Sequence, residues 1–181
     1  MTPQEKREIL ELFDTGQKCF LHTLAGVADD AAARKPSPEC WSILECAEHV
    51  AIVEERLLAY IENARPADGT VIPIQREALI RERAPDRSRR IPAPEVALPA
   101  GRYSALADAA AQFVSNRLRS IVFVQSCDDD LRAKLAEHPI LKVATCYEIL
   151  LMMAYHPMRH ARQIDEIKLA ISAAGEATTA G

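Results

Sequence analysis

Two histidines four residues apart, His156 and His160, are the first residues in this sequence with the types and spacing for chemistry. On an α-helix that interval puts both imidazoles on one face about one turn apart, which suits two ligands of one metal ion. The spacing is weak by itself. Its weight comes from position, because the pair falls between Met153 and Ile164 on the inward stripe of a predicted helix, where a neutral imidazole needs a partner. A third histidine, His49, lies on the inner side of an earlier helix, between Cys46 and Val53. Alone it reads as a hydrogen-bonded core histidine, yet three inward histidines in one bundle are hard to explain separately. One from the earlier helix and two from the later one would make a three-nitrogen site with open positions for water or substrate. Neighbouring residues are weaker candidates. Cys46 stands one turn before His49 and reads as a core thiol rather than a further ligand. Glu48 adjoins His49, but adjacent helical positions point about 100° apart, so it is expected to face solvent. Arg159 and Arg162 flank His160 and could meet an anionic substrate, although exposed helix arginines are commonplace. His22 and His138 show no partner in the sequence and read as structural.

Four long helices have to carry these residues, and three of them announce their starts. Thr2-Pro-Gln-Glu5, Ser42-Ile-Leu-Glu45 and Thr145-Cys-Tyr-Glu148 are capping boxes. The first helix should run from about Pro3 to Val27, with Ile9, Leu10, Phe13, Phe20, Leu21 and Leu24 as its apolar stripe. The second carries Cys46, Val50, Val53, Leu57 and Ile61 inward, with Trp41 placed to staple its start, and ends near Ala64. The third opens less distinctly near Ser104 and shows Leu106, Ala110, Phe113, Leu118 and Ile121 as a stripe. The fourth presents Ile149, Met153, Ile164 and Ile167 on one face. Within it, Pro157 follows His156, removes a helical hydrogen bond and strands the Met153 carbonyl, so a tolerated kink is expected there. The connection from Asp128 to Ala144 is expected to hold a short helix around Leu131 to Glu137 and then the pair His138-Pro139. The connection from Arg65 to Arg102 holds six of the eleven prolines and eight arginines. A short helix over Ile74 to Arg83 and then an extended strap across the bundle are expected, with the arginines on solvated surface. The resulting architecture is an all-α antiparallel four-helix bundle, a single domain over residues 1–172 with a flexible tail at 173–181.

Composition narrows the function classes. Lys plus Arg is 22 against 26 for Asp plus Glu, a net charge of −4, which is not the basic footprint of a nucleic-acid binder. No apolar run approaches the roughly 20 residues needed to span a bilayer, and MTPQEKREIL lacks the pattern of a secretory signal. Five cysteines form no C-x-x-C pair. A cytoplasmic protein that meets a small-molecule substrate, rather than nucleic acid or a membrane, is the expectation.

Trp41-Ser42-Ile43, then Ala47-Glu48-His49, and later the run from His156 through His160 and Gln163 to Ile164 resemble the DinB-like family of small helical-bundle metalloproteins. The shared pattern is a W-S-x start to the second helix with a His in its first turns, then H-x-x-x-H-x-x-Q in the last helix. The resemblance covers most of the chain and is least assignable in the Pro/Arg-rich strap between helices 2 and 3. It implies that His49, His156 and His160 bind one divalent transition metal such as Zn, Ni or Fe. Gln163 matches the motif as a group that orients a ligand, with a helix-packing amide as its alternative. The resemblance further implies a metalloenzyme that transfers a low-molecular-weight thiol to a small molecule, with metal-dependent hydrolysis as the alternative. A reading of another class is a non-catalytic stress-response bundle with a structural or vestigial metal site, acting through dimerisation or partner binding. Closure of the fourth position by Cys46 or Glu48 would favour that reading. Homodimers are frequent among such bundles.

Overall fold

The computed structural model describes residues 1–67 and 76–179, with side chains described up to residue 173. Its elements are α1 (Pro3–Leu24), α2 (Asp29–Ala33), α3 (Ile43–Glu62), β1 (Arg65–Pro66), α4 (Glu77–Arg83), a 3-10 turn at Glu95–Ala97, α5 (Leu106–Ser126), β2 (Lys134–His138), β3 (Lys142–Thr145) and α6 (Cys146–Thr179). All three capping boxes form, each Ser or Thr hydroxyl accepting from the Glu backbone while the Glu carboxylate accepts in return. The chain leaves α1 at Leu24 rather than near Val27, and Gly26 takes a φ of +73° just beyond. The indistinct start of α5 also has a physical reason. Its first N–H, on Leu106, donates to Asp29 Oδ1 at 2.9 Å, so the cap is supplied by α2 and not by a local residue.

The four long helices form a bundle in the cyclic order α1, α6, α3, α5, each packed on two neighbours. Among the described residues no helix is long and apolar enough to cross a membrane. Where α1 presses on α6 the two backbones nearly touch: a Cβ at Gly16 would lie 2.7 Å from the Ala154 carbonyl oxygen. Two apolar clusters fill the interior. One gathers Ile9, Phe13, Leu58, Ile149 and Leu150, and the other Phe20, Ile43, Val50, Phe113 and Ile164. Between them lies a polar layer. Arg117, fully buried, pairs with Glu54 at 2.9 Å, and the Ser120 hydroxyl donates to the other Glu54 oxygen at 2.8 Å. The guanidinium also sits 4.1 Å above the Phe13 ring and donates to the Met153 carbonyl at 3.1 Å. That is the carbonyl stranded by Pro157, so a side chain from α5 supplies the donor the proline removed, and α6 continues through it.

Three expectations are corrected. Leu131 to Glu137 does not hold a helix. Lys134–His138 is a strand, paired antiparallel with β3 on one side and β1 on the other, with Leu135 opposite Thr145 and His138 opposite Lys142. Lys-Leu-Ala-Glu favours helix locally, but cross-strand pairing decides, and Lys142 at φ 61° closes the hairpin. Leu118 is not inward; it is 60% exposed, in line with exposed Val114 and Val122. The inward positions around it are Phe113, Asn116, Arg117, Ser120 and Val124, so three polar residues occupy the stripe a hydrophobic pattern assigns elsewhere. Glu48 does not face solvent, for a reason that belongs with the site.

The connection after α3 is pinned at its base by Arg76. Its N–H and guanidinium donate to Glu148 at 2.8 to 3.3 Å and to the carbonyls of Leu141 and Val143 at 2.6 Å. The expected Ile74–Arg83 helix is described as Glu77–Arg83, and Ile74 lies outside the described residues. Helix α6 extends beyond Ile171 to Thr179, while the side chains of the tail lie outside the described residues.

Candidate metal centre

His49 sits in the second turn of α3, and its Nδ1 donates to the Ala97 carbonyl at 2.6 Å. A carbonyl only accepts, so Nδ1 carries the proton and Nε2 presents a lone pair. That Nε2 lies 3.2 Å from His156 Nε2, which lies 3.0 Å from His160 Nε2. The three ligand atoms all lie within 4.8 Å of one another. A tetrahedral ion with metal–nitrogen bonds near 2.05 Å needs nitrogens about 3.3 Å apart, so separations of 3.2 and 3.0 Å fit one ion. The donor chemistry fits as well. Burial pushes all three imidazoles below the usual histidine range, and for His156 and His160 the neighbouring histidines and Arg159 add to it. Each is therefore neutral near pH 7. Among the described residues no carboxylate bonds the cluster, and His160 Nδ1 is buried without a partner. Trp41 lies against the group, 4.8 Å from the His49 ring and 6.4 Å from that of His160.

The two side chains that might have closed a fourth position are committed elsewhere. Glu48 is 1% exposed, and its carboxylate accepts the backbone N–H groups of Ala100 at 2.7 Å, Gly101 at 3.1 Å and Arg102 at 3.2 Å. The Pro-rich strap covers the side of α3 that the helical wheel leaves open, which is why the expectation of solvent failed. Cys46 is buried among Phe20, Val50 and Ile164, and burial pushes its thiol up.

The strap itself is fastened over the site. Arg162 donates to the Pro85 carbonyl at 2.7 Å, Arg159 to the Arg89 carbonyl at 2.6 Å, and Arg87 pairs with Glu166 at 2.7 Å. Gln163 accepts from Arg87 at 3.2 Å and so holds the strap rather than a histidine. Arg159 is buried, unlike the exposed helix arginine the sequence suggests. His22 is exposed in the last turn of α1. His138 is buried, and its Nδ1 accepts the N–H groups of Ile140 at 3.2 Å and Leu141 at 3.0 Å across the hairpin turn. Burial first, and Arg76 next, bring its pKa down to about 4.

Between α3, α6, the strap and the hairpin lies a cavity of about 660 Å³. His49, His156 and His160 open on it, with Val53, Leu57 and Met152 as apolar wall. His138 also lines it, and because Nδ1 accepts, the ring proton is on Nε2. Arg56, Arg87, Arg90 and Arg159 face the same space against Glu39 and Glu166. Sequence reasoning missed His138 and the strap arginines. The one signal for the latter was a Pro-rich segment unable to build a core of its own, which had to lie on something.

Comparison with known proteins places this arrangement. The DinB superfamily model matches residues 12–164. The uncharacterized protein YuaE of Bacillus subtilis (strain 168) is 24% identical over 159 residues, covering 88% of this chain and 96% of that protein. YfiT from Bacillus subtilis, described as "a probable metal-dependent hydrolase with an unusual four-helix bundle topology", has a similar structure, with a TM-score of 0.61 and 12% identity over 95% of this chain and 90% of that one. That likeness is one of fold. With the family match spanning helices and histidines alike, the chain belongs to the DinB superfamily.

Proposed function

We propose that His49, His156 and His160 bind one divalent transition metal, and that the protein is a metalloenzyme transferring a low-molecular-weight thiol to a small molecule. The observation that carries this reading is the opening of three convergent Nε2 atoms on a 660 Å³ cavity, while Glu48 and Cys46 are engaged elsewhere. A bound divalent ion would supply Lewis acidity and lower the pKa of a coordinated thiol or water.

The chain's own groups prepare that chemistry. The Ala97 carbonyl fixes the His49 tautomer and so keeps its Nε2 lone pair on the site. Burial keeps all three imidazoles neutral, so no proton has to leave before the nitrogens can coordinate at neutral pH. The strap and Trp41 wall the site, and the apolar face of Val53, Leu57 and Met152 holds the body of a substrate. Cavity volume supports the thiol reading, since transfer needs room for two small molecules side by side and hydrolysis does not. Metal-dependent hydrolysis is the second reading, supported by the fold likeness to YfiT. A cytoplasmic setting, where thiols stay reduced, suits the free cysteines. A homodimer would cover the exposed Val114, Leu118 and Val122 of α5, and light scattering of the protein beside Leu118→Glu measures it.

The deciding experiment is elemental analysis of untagged protein beside a His156→Ala, His160→Ala double variant, followed by two assays. One follows cysteine-dependent loss of 1-chloro-2,4-dinitrobenzene, the other hydrolysis of p-nitrophenyl acetate. Near-stoichiometric metal that vanishes in the double variant, with metal-dependent thiol consumption, is the expected result. Equal metal in both proteins sinks the reading. Metal without either turnover moves the protein to the non-catalytic stress-response class.

A further inference from the structure

Two arginines are buried among the described residues, Arg117 and Arg159. Arg117 has Glu54 as its counter-charge. Arg159 has no ion pair: its Nη2 donates to the neutral Arg89 carbonyl at 2.6 Å, no carboxylate bonds it among the described residues, and Asp86 and Glu166, which act on it through space, are bonded to Ser88 and Arg87. A buried guanidinium is costly without an anion, and its fork of donors matches a carboxylate in two parallel bonds. Arg159 lines the cavity and immediately precedes His160 in the chain. To the same cavity the strap contributes Arg90, which is exposed, and Arg87, whose carboxylate partner Glu166 leaves that pair neutral. The cavity as a whole carries four arginines against two glutamates in a chain of net charge −4. Positive charge is concentrated where an acidic protein has least reason to place it, unless something anionic enters.

We infer that Arg159, with Arg90 on the strap side, forms an anion subsite beside the three histidines, and that it takes the carboxylate of a small molecule with an apolar body. The apolar half of the recognition comes from Val53, Leu57 and Met152. The inference names a substrate class for the site proposed above and rests on that reading for its use, but not for its measurement. The carboxylate belongs either to the electrophilic substrate or to the thiol, and the chemistry of the subsite is the same for both.

The test uses metal-free full-length protein at pH 7.5, where the histidines are neutral and no metal can attract the probe. Trp41 is the single tryptophan of the chain and lies 4.8 Å from His49, so its fluorescence reports occupancy. Phenylacetate is titrated against phenylacetamide, and 3-mercaptopropionate against its amide. At least a tenfold preference for the acid is expected in one pair: the aryl pair assigns the carboxylate to the electrophile, the thiol pair to the thiol. Arg159→Gln is expected to cut that preference below twofold. Arg162→Gln, which also loses a bond to the strap but lies outside the cavity, should keep it. A loosened strap weakens acid and amide alike, so the ratio isolates charge. Arg90→Gln, at an exposed position, is expected to lower acid affinity two- to threefold with the amide unchanged, and it decides the matter if Arg159→Gln does not fold. Equal binding of acid and amide to the wild type in both pairs, a preference that survives in Arg159→Gln, or an unchanged Arg90→Gln in that fallback, overturns the inference. If metal analysis fails while the acid preference holds, the metalloenzyme reading falls and the subsite stands.

Discussion

Arg117 with Glu54 and the group of three histidines are two buried polar clusters that meet α6 about one turn apart, at Met153 and at His156, and they differ in what balances them. The first has its charge balanced within the chain: Nη2 of Arg117 bonds Glu54 and the Met153 carbonyl, the Ser120 hydroxyl bonds Glu54, and the Phe13 ring lies under the guanidinium, while Nε and Nη1 have no hydrogen-bond partner. In the second, one backbone carbonyl answers one of six ring nitrogens, three Nε2 atoms face each other, and His160 Nδ1 has nothing. Buried polar groups are normally paired by the protein itself. The difference is therefore one of charge and access: the histidines open on a cavity from which a partner can enter, whereas Arg117 meets its counter-charge inside the chain, lines no part of that cavity, and ties α3, α5 and α6 together.

The contrast can be broken by experiment, and the largest effect belongs to the closed cluster. Glu54→Ala leaves Arg117 buried and unpaired, and urea unfolding of the metal-free protein should show a loss of about 3–5 kcal/mol. Replacing both partners by Leu and Met should restore stability to within about 2 kcal/mol, and failure to do so would mean the pair has a role beyond mutual neutralisation. The open cluster should respond to metal instead. At a hundredfold excess over Kd, metal is expected to stabilise the wild type by about 2.7 kcal/mol and the His156→Ala, His160→Ala variant not at all. Without metal, that variant should lie within about 1 kcal/mol of wild type; a drop of 3 kcal/mol would make the histidines core members like Arg117.

A pH series sharpens the same difference. Folded His49, His156 and His160 titrate below the 6.5 of the unfolded chain, so the unfolded state takes up protons first as pH falls. Their contribution is therefore present above pH 6.5 and is lost on acidification, so urea unfolding of metal-free protein should show stability falling from pH 7 to pH 5. The double variant should make that slope shallower, leaving the parts due to His49 and to His138, the latter continuing toward about pH 4. The smallest effect is expected from Pro157→Ala, which returns a helical donor to Met153. A gain of at most about 1 kcal/mol with unchanged metal affinity is predicted. A tenfold loss of affinity in calorimetry would instead make the proline a device for placing His156.

The bundle was legible because its signals are local. Each capping box lies within four residues, and each apolar stripe repeats within one helix, so Thr2, Ser42 and Thr145 mark the right starts. The histidine group was legible because His156 and His160 share a turn and His49 follows a recognisable Trp41-Ser42 start. What failed is what depends on distant partners. Leu131 to Glu137 has helical composition, yet its strand is fixed by pairing with β3 and with Arg65–Pro66, far away in sequence. Glu48 is buried because Ala100, Gly101 and Arg102 come to it from 52 to 54 residues away. Leu118 was assigned inward because nothing local shows that Arg117 would find Glu54 on another helix. Arg159 looked like surface for the same reason: only the folded strap encloses it.

Gly16 carries no chemistry, yet its position bears on the histidines through mechanics. Any side chain there would drive a carbon atom to within 2.7 Å of the Ala154 carbonyl oxygen, a backbone atom that cannot swing aside. Helices α1 and α6 would have to part, and the displaced stretch of α6 ends two residues before His156. Mutational tolerance at residue 16 is thus tied to the placement of a histidine 140 positions downstream. In a saturation library, every substitution at this site should score as a loss, including alanine, whose single methyl group is otherwise the mildest change a helix can receive.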